Sequence, residues 1–178
     1  MKIRQMFEKG TVFSFEIFPP KKTSSIDTIY NTLEQLRDLK PDFISVTFGA
    51  GGSSNNNTTC EIAQTIKEKY GIESAAHLPC INYTKEEIVK ILGEFKKHGI
   101  SNILALRGDI NPDIPPKSDF KYASDLISFI KQHGDFDIAR INRDDAAQAQ
   151  KEAQAYLQRW PAGLYADSAR NMLPRINW

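Results

Sequence analysis

Apolar residues recur at two alternating spacings along the first 139 residues of the chain. Helical spacing predicts four helices, over residues 26–39, 58–70, 84–98 and 119–133. Stretches of strand type predict four strands, over residues 12–18, 42–48, 73–78 and 102–107, with a fifth candidate at 136–141. Thr84 and Glu87 form the pattern of a capping box at the start of the third helix. The chain therefore predicts strand–helix alternation, repeated four times.

Repeated alternation of this kind is typical of the α/β fold class, with parallel strands and the helices outside them. Two architectures fit, a doubly wound sheet and a (β/α)8 barrel, and both collect their working residues at the C-terminal ends of the strands. Here those ends carry polar groups, namely Glu16, Thr47, His77 and Arg107-Gly-Asp109. We therefore expect four successive strands to bring polar side chains to one rim.

The first predicted strand carries one carboxylate inside an apolar run, Phe13-Ser-Phe-Glu-Ile-Phe-Pro-Pro20. Strand geometry puts Ser14 and Glu16 on one face and the apolar side chains on the other. A carboxyl group that faces an enclosed interior has a raised pKa, which suits a general acid near neutral pH. The spacing fits equally well an exposed Glu16 on a half-buried edge strand.

Composition and charge narrow the class of protein. With 178 residues, of which 40% are hydrophobic and 25% charged, the chain has the make-up of a globular protein with a sizeable core. A net charge of +1 gives no reason to expect nucleic acid or an anionic membrane as a partner. No apolar run is long enough to span a bilayer, and the N-terminus lacks the apolar core of a signal peptide. Cys60 and Cys80 fit no metal motif and are typical of the free thiols of a cytoplasmic protein.

Composition changes abruptly after Ala139. Residues 1–139 hold 14 Lys and 3 Arg, whereas residues 140–178 hold 1 Lys and 5 Arg. Alanine occurs seven times before this point and eight times in the short segment after it. We therefore predict two domains, 1–139 and 140–178, joined as a chimera, a frameshift product or an artificial fusion, with a natural late insertion as the alternative.

The segment 140–178 predicts a short helical hairpin. Apolar residues recur at helical spacing over 146–160, a turn follows at 161–163, and a second helix runs over 165–173. This pattern resembles a single tetratricopeptide-type repeat of bacterial cell-envelope proteins. One such repeat cannot bury its apolar face alone, so we expect it to pack onto the first domain or against another chain. A plain amphipathic hairpin without a binding role is the alternative.

Five blocks of residues 1–139 occur in an order and at spacings that match a known family. They are Phe13-Ser-Phe-Glu-Ile-Phe-Pro-Pro-Lys21, Asp42-Phe-Ile-Ser-Val-Thr-Phe-Gly-Ala50, Ala76-His-Leu-Pro-Cys80, Asn102-Ile-Leu-Ala-Leu-Arg-Gly-Asp109 and Tyr122-Ala-Ser-Asp-Leu126. On these blocks the chain resembles the methylenetetrahydrofolate reductases, flavoproteins that make 5-methyltetrahydrofolate. Phe48 departs from the pattern, since family members often carry Tyr at this position.

The resemblance implies a (β/α)8 barrel that binds FAD at its C-terminal rim. In such enzymes NADH or NADPH reduces the flavin, and methylenetetrahydrofolate then takes the place of the nicotinamide and accepts the hydride. Glu16 matches the acid that protonates the folate and opens its five-membered ring. Asp109 matches a carboxylate near the flavin and the pterin, where a negative charge stabilises a cationic iminium.

The resemblance also implies a set of cofactor-binding positions and no metal. Three of them line the flavin and nicotinamide: Thr47, Phe48 and Ala50. Five match flavin contacts: His77, Arg107, Gly108, Asp109 and Ala123. Without the family, His77 also fits a satisfied core histidine, and Arg107-Gly-Asp109 fits a strand-end turn with an internal ion pair.

A (β/α)8 barrel usually needs about 250 residues, and this chain predicts roughly half of one, about four βα units. The later segments of the family have no match after residue 139. An open half-barrel leaves sheet edges unpaired and an apolar interior exposed, so we expect self-association or packing of the tail.

The function expected is the reduction of methylenetetrahydrofolate with FAD and NAD(P)H in the cytoplasm, in a truncated or chimeric form. Such a reaction belongs to one-carbon metabolism and methionine biosynthesis. Two alternatives stay open. One is a non-catalytic scaffold with a helical interaction tail, and the other is a vestigial binder of flavin or folate.

Overall fold

A computed structural model of the chain describes residues 1–20, 25–48, 56–109 and 115–139. The chain divides into two units, Met1–Arg140 and Ile141–Trp178, and the described residues all belong to the first. The helical hairpin predicted for the tail, and with it the assignment of 140–178 as a separate domain, lies outside the described residues.

Five helices and five strands alternate along the described residues. In chain order they are α1 (Arg4–Phe7), β1 (Ser14–Ile17), α2 (Asp27–Arg37), β2 (Phe43–Val46), α3 (Asn56–Tyr70), β3 (Glu73–Pro79), α4 (Lys85–Lys97), β4 (Asn102–Leu106), α5 (Ala123–His133) and β5 (Asp137–Ala139). All nine predicted elements of residues 1–139 are present, and the α/β class is confirmed. Only α1 was not predicted, because its four residues are too few to show a periodicity.

The five strands form one parallel sheet in the order β1-β2-β3-β4-β5. Each strand pairs with the next one along the chain. A doubly wound sheet would reverse its strand order at a switch point, whereas consecutive order is the arrangement of a (β/α)8 barrel. The sheet is therefore part of such a barrel, as predicted, and the C-terminal ends of its strands share one edge.

The main core lies between the sheet and the helices. Alternate strand residues point to this side, among them Ile17, Ile44, Val46, Ala76, Leu78, Ile103 and Ala105. They pack against apolar residues of the four longer helices, including Leu33, Ile62, Ile66, Ile88, Ile91, Phe95, Leu126 and Ile130. β3 is the middle strand, and six of its seven residues are buried. The helix-covered side of the sheet is its outer face, and the opposite side is its inner face. Packing against the helices holds the strands in place and so fixes the positions of residues on the inner face.

A smaller cluster covers the inner face towards the N-terminal ends of the strands. Ile3 and Met6 pack there on Ala75 of β3, with Phe43 of β2 beside them. The side-chain oxygen of Asn102 accepts a 2.9 Å hydrogen bond from the backbone N–H of Ile3, which fastens the start of α1 to β4. The inner face is thus closed at this end by α1.

Local signals explain where the helices begin. Thr84 and Glu87 form the predicted capping box of α4, with bonds of 3.3 and 2.7 Å between side chain and backbone N–H. α5 begins at Ala123, four residues later than predicted, because the carboxylate of Asp125 accepts the N–H groups of Lys121 and Tyr122. The start of α5 therefore depends on a side-chain cap rather than on apolar spacing.

Candidate functional site

The C-terminal edge of the sheet carries the predicted site residues that the structure describes. Glu16 lies in β1, Thr47 and Phe48 follow β2, and His77 lies near the end of β3. Residues 107–109 follow β4, and Ala123 is the first residue of α5. Ala50 lies outside the described residues. Since all five strands run parallel, these positions belong to the same edge, which is where active sites of (β/α)8 barrels form.

Glu16 and His77 meet on the inner face of the sheet. The carboxylate Oε2 of Glu16 lies 3.4 Å from Nε2 of His77, although β2 separates their strands. In register, Glu16 stands beside Ser45 of β2, and Ser45 stands beside Ala75 of β3. Short side chains at these two positions leave space above β2 through which the carboxylate can reach the imidazole.

His77 is buried, with 6% of its surface exposed. Burial lowers the pKa of its imidazole below the ordinary value, and the neighbouring Glu16 carboxylate opposes that shift without cancelling it. Despite the 3.4 Å separation, Nε2 has no directional hydrogen bond to any described residue. The predicted alternative of a satisfied core histidine is therefore wrong, since a buried ring nitrogen remains without a hydrogen-bond partner in the described part of the chain.

Glu16 is more exposed than an acid in an enclosed interior. Its side chain is 48% exposed, and β1 is an outermost strand of the described sheet. The described residues thus do not enclose the carboxylate, and in exposure Glu16 is as the edge-strand alternative expects. The contact with His77 nevertheless directs the carboxylate across the sheet rather than out from its edge.

Thr47 and Phe48 are held by residues that the sequence did not single out. The hydroxyl of Thr59, a buried residue of α3, donates a 3.2 Å hydrogen bond to the carbonyl of Thr47. The ring of Tyr83 packs edge-to-face on Phe48, with 5.9 Å between centroids. Neither Thr59 nor Tyr83 belongs to an apolar period, so only knowledge of the tertiary contacts reveals their roles.

The turn after β4 is fixed to the end of β3. The carbonyl of Arg107 accepts the N–H groups of Cys80 and Ile81, at 3.2 and 2.9 Å. Gly108 has φ +85°, and a Cβ there would lie 2.9 Å from Cβ of Pro79. This position therefore requires glycine, both for its conformation and for its close approach to β3.

Arg107 and Asp109, on either side of this glycine, are exposed at the rim. Among the ion pairs of residues 1–20, 25–48, 56–109 and 115–139, none joins these two side chains. The predicted alternative of a turn closed by an internal ion pair is wrong. Both charged side chains are exposed to solvent, where a bound molecule can contact them.

Two further properties concern metals and membranes. In the part of the chain that the structure describes, no cluster of three or more His, Cys, Asp or Glu side chains has the geometry to hold a metal ion. No helix among the same residues combines the length and the apolar composition needed to cross a membrane.

Comparison with known proteins gives a consistent result. The family model for methylenetetrahydrofolate reductase matches residues 2–158, a range that extends past Ala139. The 5,10-methylenetetrahydrofolate reductase of Pectobacterium carotovorum is 42% identical over 144 residues, which cover 81% of this chain and 47% of that protein.

Two more relatives are also matched over only part of their own length. The 5,10-methylenetetrahydrofolate reductase of Escherichia coli K12 is 40% identical over 81% of this chain and 48% of its own length. A methylenetetrahydrofolate reductase (NADH) of Arabidopsis thaliana is 36% identical over 76% of this chain and 24% of its own length. The chain thus spans about half the length of the bacterial relatives that it matches.

Proposed function

The chain belongs to the methylenetetrahydrofolate reductase family, and from this membership we propose that it takes part in the reduction of 5,10-methylenetetrahydrofolate to 5-methyltetrahydrofolate. We propose FAD as the resident cofactor and NADH or NADPH as the source of electrons. The observation that carries the proposal is the meeting of Glu16 with His77, 3.4 Å apart at the C-terminal edge of the sheet.

The residues at this edge fit a cofactor with phosphates and a polar ring. The buried Nε2 of His77 lies 3.4 Å from the Glu16 carboxylate but makes no directional hydrogen bond to a described residue, so it can accept or donate one to a polar ligand atom. The exposed guanidinium of Arg107 suits a phosphate group. Gly108 allows the turn after β4 to pack closely on Pro79 and Ile81, which fixes the position of Arg107 at the rim.

Each site residue has a definite task in this proposal. Bound FAD supplies a centre that accepts and donates a hydride. Glu16, half-exposed and therefore in contact with solvent protons, donates a proton to the folate and so opens its five-membered ring. Asp109 places a negative charge beside the cationic form of the folate. Thr47 and Phe48 line the surface on which nicotinamide and folate bind in turn.

The proposal is tested with the purified 178-residue chain and added FAD. We expect the protein to retain flavin absorbance, to lose that absorbance with NADH under anaerobic conditions, and to regain it with methylenetetrahydrofolate. The variant Glu16→Gln should keep the first two responses and lose the third, because it retains the shape of the side chain but no acidic proton. Glu8→Gln, an exposed carboxylate just after α1, is the matched control and should behave as wild type.

The same measurement separates the alternatives. A protein that stays colourless with excess FAD contradicts the proposal and supports a scaffold. Flavin uptake without reduction by NADH or NADPH contradicts turnover and supports a vestigial binder. Equal folate-dependent reoxidation in wild type and Glu16→Gln contradicts the role of the acid.

We further propose that the chain self-associates and acts in the cytoplasm. Among the described residues, β1 and β5 each pair with one strand only, which leaves an edge on either side of the sheet. Cys60 and Cys80 are free thiols, as is usual in a reducing compartment. Sedimentation is expected to show a species larger than one chain, whereas a compact monomer at all concentrations would contradict self-association.

A further inference from the structure

Cys80 and Ile81, which directly follow β3, form hydrogen bonds with the segment that connects β4 to α5. The N–H groups of Cys80 and Ile81 bind the carbonyl of Arg107, directly after β4. The carbonyl of Ile81 accepts a 2.8 Å hydrogen bond from the N–H of Lys117, on the way back to α5. Residues 80 and 81 therefore hold two described points of this segment, Arg107 and Lys117.

The thiol of Cys80 lies near both ends of this segment. Its Sγ lies 3.7 Å from the carbonyl oxygen of Arg107 and 3.6 Å from that of Tyr122, the residue before α5. The side chain is completely buried. Burial raises the pKa of this thiol to about 11, so the sulfur keeps its proton at neutral pH and acts as a hydrogen-bond donor.

Because peptide groups are planar, the positions of the two carbonyls also determine where the N–H groups of the next residues point. In a trans peptide group the carbonyl and the N–H of the next residue point in opposite directions. The carbonyl of Arg107 accepts the N–H groups of Cys80 and Ile81, and the carbonyl of Tyr122 accepts those of Asp125 and Leu126 in the first turn of α5. The thiol of Cys80 is a further neighbour of both oxygens, so the N–H groups of Gly108 and Ala123 lie on the side of their peptide groups away from the sulfur. Gly108 and Ala123 are the two backbone positions that the family resemblance predicts as flavin contacts.

We propose that Cys80 is a positioning residue: its single thiol hydrogen, shared between the carbonyls of Arg107 and Tyr122, adds to the backbone hydrogen bonds that hold the Arg107–Gly108 and Tyr122–Ala123 peptide groups with their N–H groups towards the bound cofactor. This inference rests on the proposed function for the identity of the ligand, but its geometric part does not. Cys80 itself contacts two backbone carbonyls and takes no part in the chemistry.

The first test uses the full chain without FAD. Hydrogen exchange is measured for segments 107–109 and 121–124 in wild type, Cys80→Ala and Cys80→Ser. We expect Cys80→Ala to exchange about fivefold faster in both segments, which corresponds to the loss of a weak hydrogen bond. Cys80→Ser retains a donor and should lie between Cys80→Ala and wild type. Cys60→Ala, which removes the other buried thiol from α3, should leave both segments unchanged.

The second test measures FAD affinity with the same variants. We expect about fivefold weaker binding for Cys80→Ala, partial rescue by Cys80→Ser, and no change for Cys60→Ala. If wild type takes up no FAD, the proposed function fails, and the exchange data alone decide whether the thiol orients the two peptide groups.

Three results would overturn the proposal. One is unchanged exchange in both segments of Cys80→Ala. Another is faster exchange throughout the sheet, including β1 and β2, which indicates a general loss of packing. The third is equal behaviour of Cys80→Ser and Cys80→Ala, which shows that the volume of the sulfur matters and its donated hydrogen does not.

Discussion

The carboxylate of Glu16 approaches the imidazole of His77 across a whole strand, with 3.4 Å between Oε2 and Nε2. One partner is half-exposed and the other is buried, so the pair connects solvent to the inner face of the sheet. The carboxylate of Glu16 and the imidazole of His77, whose Nε2 makes no directional hydrogen bond to a described residue, thus interact electrostatically at the C-terminal end of the sheet, where the chemistry is proposed.

This coupling predicts a shift in the titration of His77. The carboxylate of Glu16 raises the pKa of the imidazole and partly offsets the lowering by burial. In Glu16→Gln the imidazole should therefore titrate at a lower pH than in wild type, as followed by NMR of the ring protons. Glu86→Gln, an exposed change on α4, should leave the titration where it is. An unaltered His77 titration in Glu16→Gln would show that the two groups do not interact.

The same pKa shift makes stability depend on pH. Because burial holds the pKa of His77 below its ordinary value of 6.5, the unfolded chain binds this proton first as the pH falls. The free energy of unfolding is expected to decrease below about pH 6.5, by at most about 1.4 kcal/mol per pH unit from this group. Urea titrations from pH 5 to 8 should give a flatter profile for His77→Gln. Parallel profiles for the two proteins would contradict this origin.

Sequence spacing predicted the elements of the sheet because burial on one side imposes a period. Ile44 and Val46 on β2, or Ile88, Leu92 and Phe95 on α4, reveal their element through apolar spacing alone. The exposure of Glu16 was not predictable, since period-2 alternation assigns a face but not what covers that face.

The supporting contacts of the site were equally hidden from the sequence. Thr59 is a polar residue in the first turn of α3, yet it is buried and its hydroxyl binds the carbonyl of Thr47. Cys80 reads as an ordinary thiol, and its role depends on two carbonyls that lie 27 and 42 residues further along the chain. The contact of Thr59 arises where α3 packs beside β2, and those of Cys80 arise from the pairing of β3 with β4 and the return of α5. No local sequence pattern encodes either.

Both cysteines should resist thiol reagents in the folded protein. Each is fully buried, and burial raises the pKa to about 12 for Cys60 and about 11 for Cys80. Because the thiolate is the reactive form, we expect no reaction with a disulfide reagent at pH 8. Two thiols per chain should react after unfolding in guanidinium. Rapid reaction of one thiol in the native protein would contradict the packing around it.

Asn102 should contribute strongly to stability. Its side chain is 2% exposed and joins the N–H of Ile3, a carboxylate oxygen of Glu73 and the carbonyl of Ser74. Replacement by Ala removes the partner of the buried Ile3 N–H, while Glu73 keeps Lys67, and we expect a loss of about 1–3 kcal/mol in the free energy of unfolding.

Asn31→Ala on the exposed side of α2 is the matched control for this change, and its effect should stay within about 0.5 kcal/mol. Both values are measured by urea titration. Equal effects of the two substitutions would show that the buried hydrogen bonds add nothing to the stability of the sheet.

The packing of Gly108, in the turn after β4, on Pro79 of β3 allows two effects of an added side chain to be separated. One is backbone strain, and the other is the steric clash with Pro79. Gly108 and Gly71 have φ of +85° and +67°, so an Ala at either position suffers the penalty of a left-handed conformation, about 1–2 kcal/mol. At Gly71 the added Cβ meets no atom within 4 Å, whereas at Gly108 it lies 2.9 Å from Cβ of Pro79. We expect Gly108→Ala to cost roughly 1–3 kcal/mol more than Gly71→Ala in denaturant titrations.

The clash that destabilises Gly108→Ala more than Gly71→Ala should also affect the C-terminal rim of the sheet. If the turn relieves the clash by moving away from β3, the hydrogen bonds from Cys80 and Ile81 to the carbonyl of Arg107 must lengthen. Gly108→Ala should then weaken FAD binding, while Gly71→Ala leaves it unchanged because that residue lies between α3 and β3, at the opposite edge of the sheet. Equal stability and equal FAD affinity of the two variants would mean that the turn does not depend on its contact with Pro79.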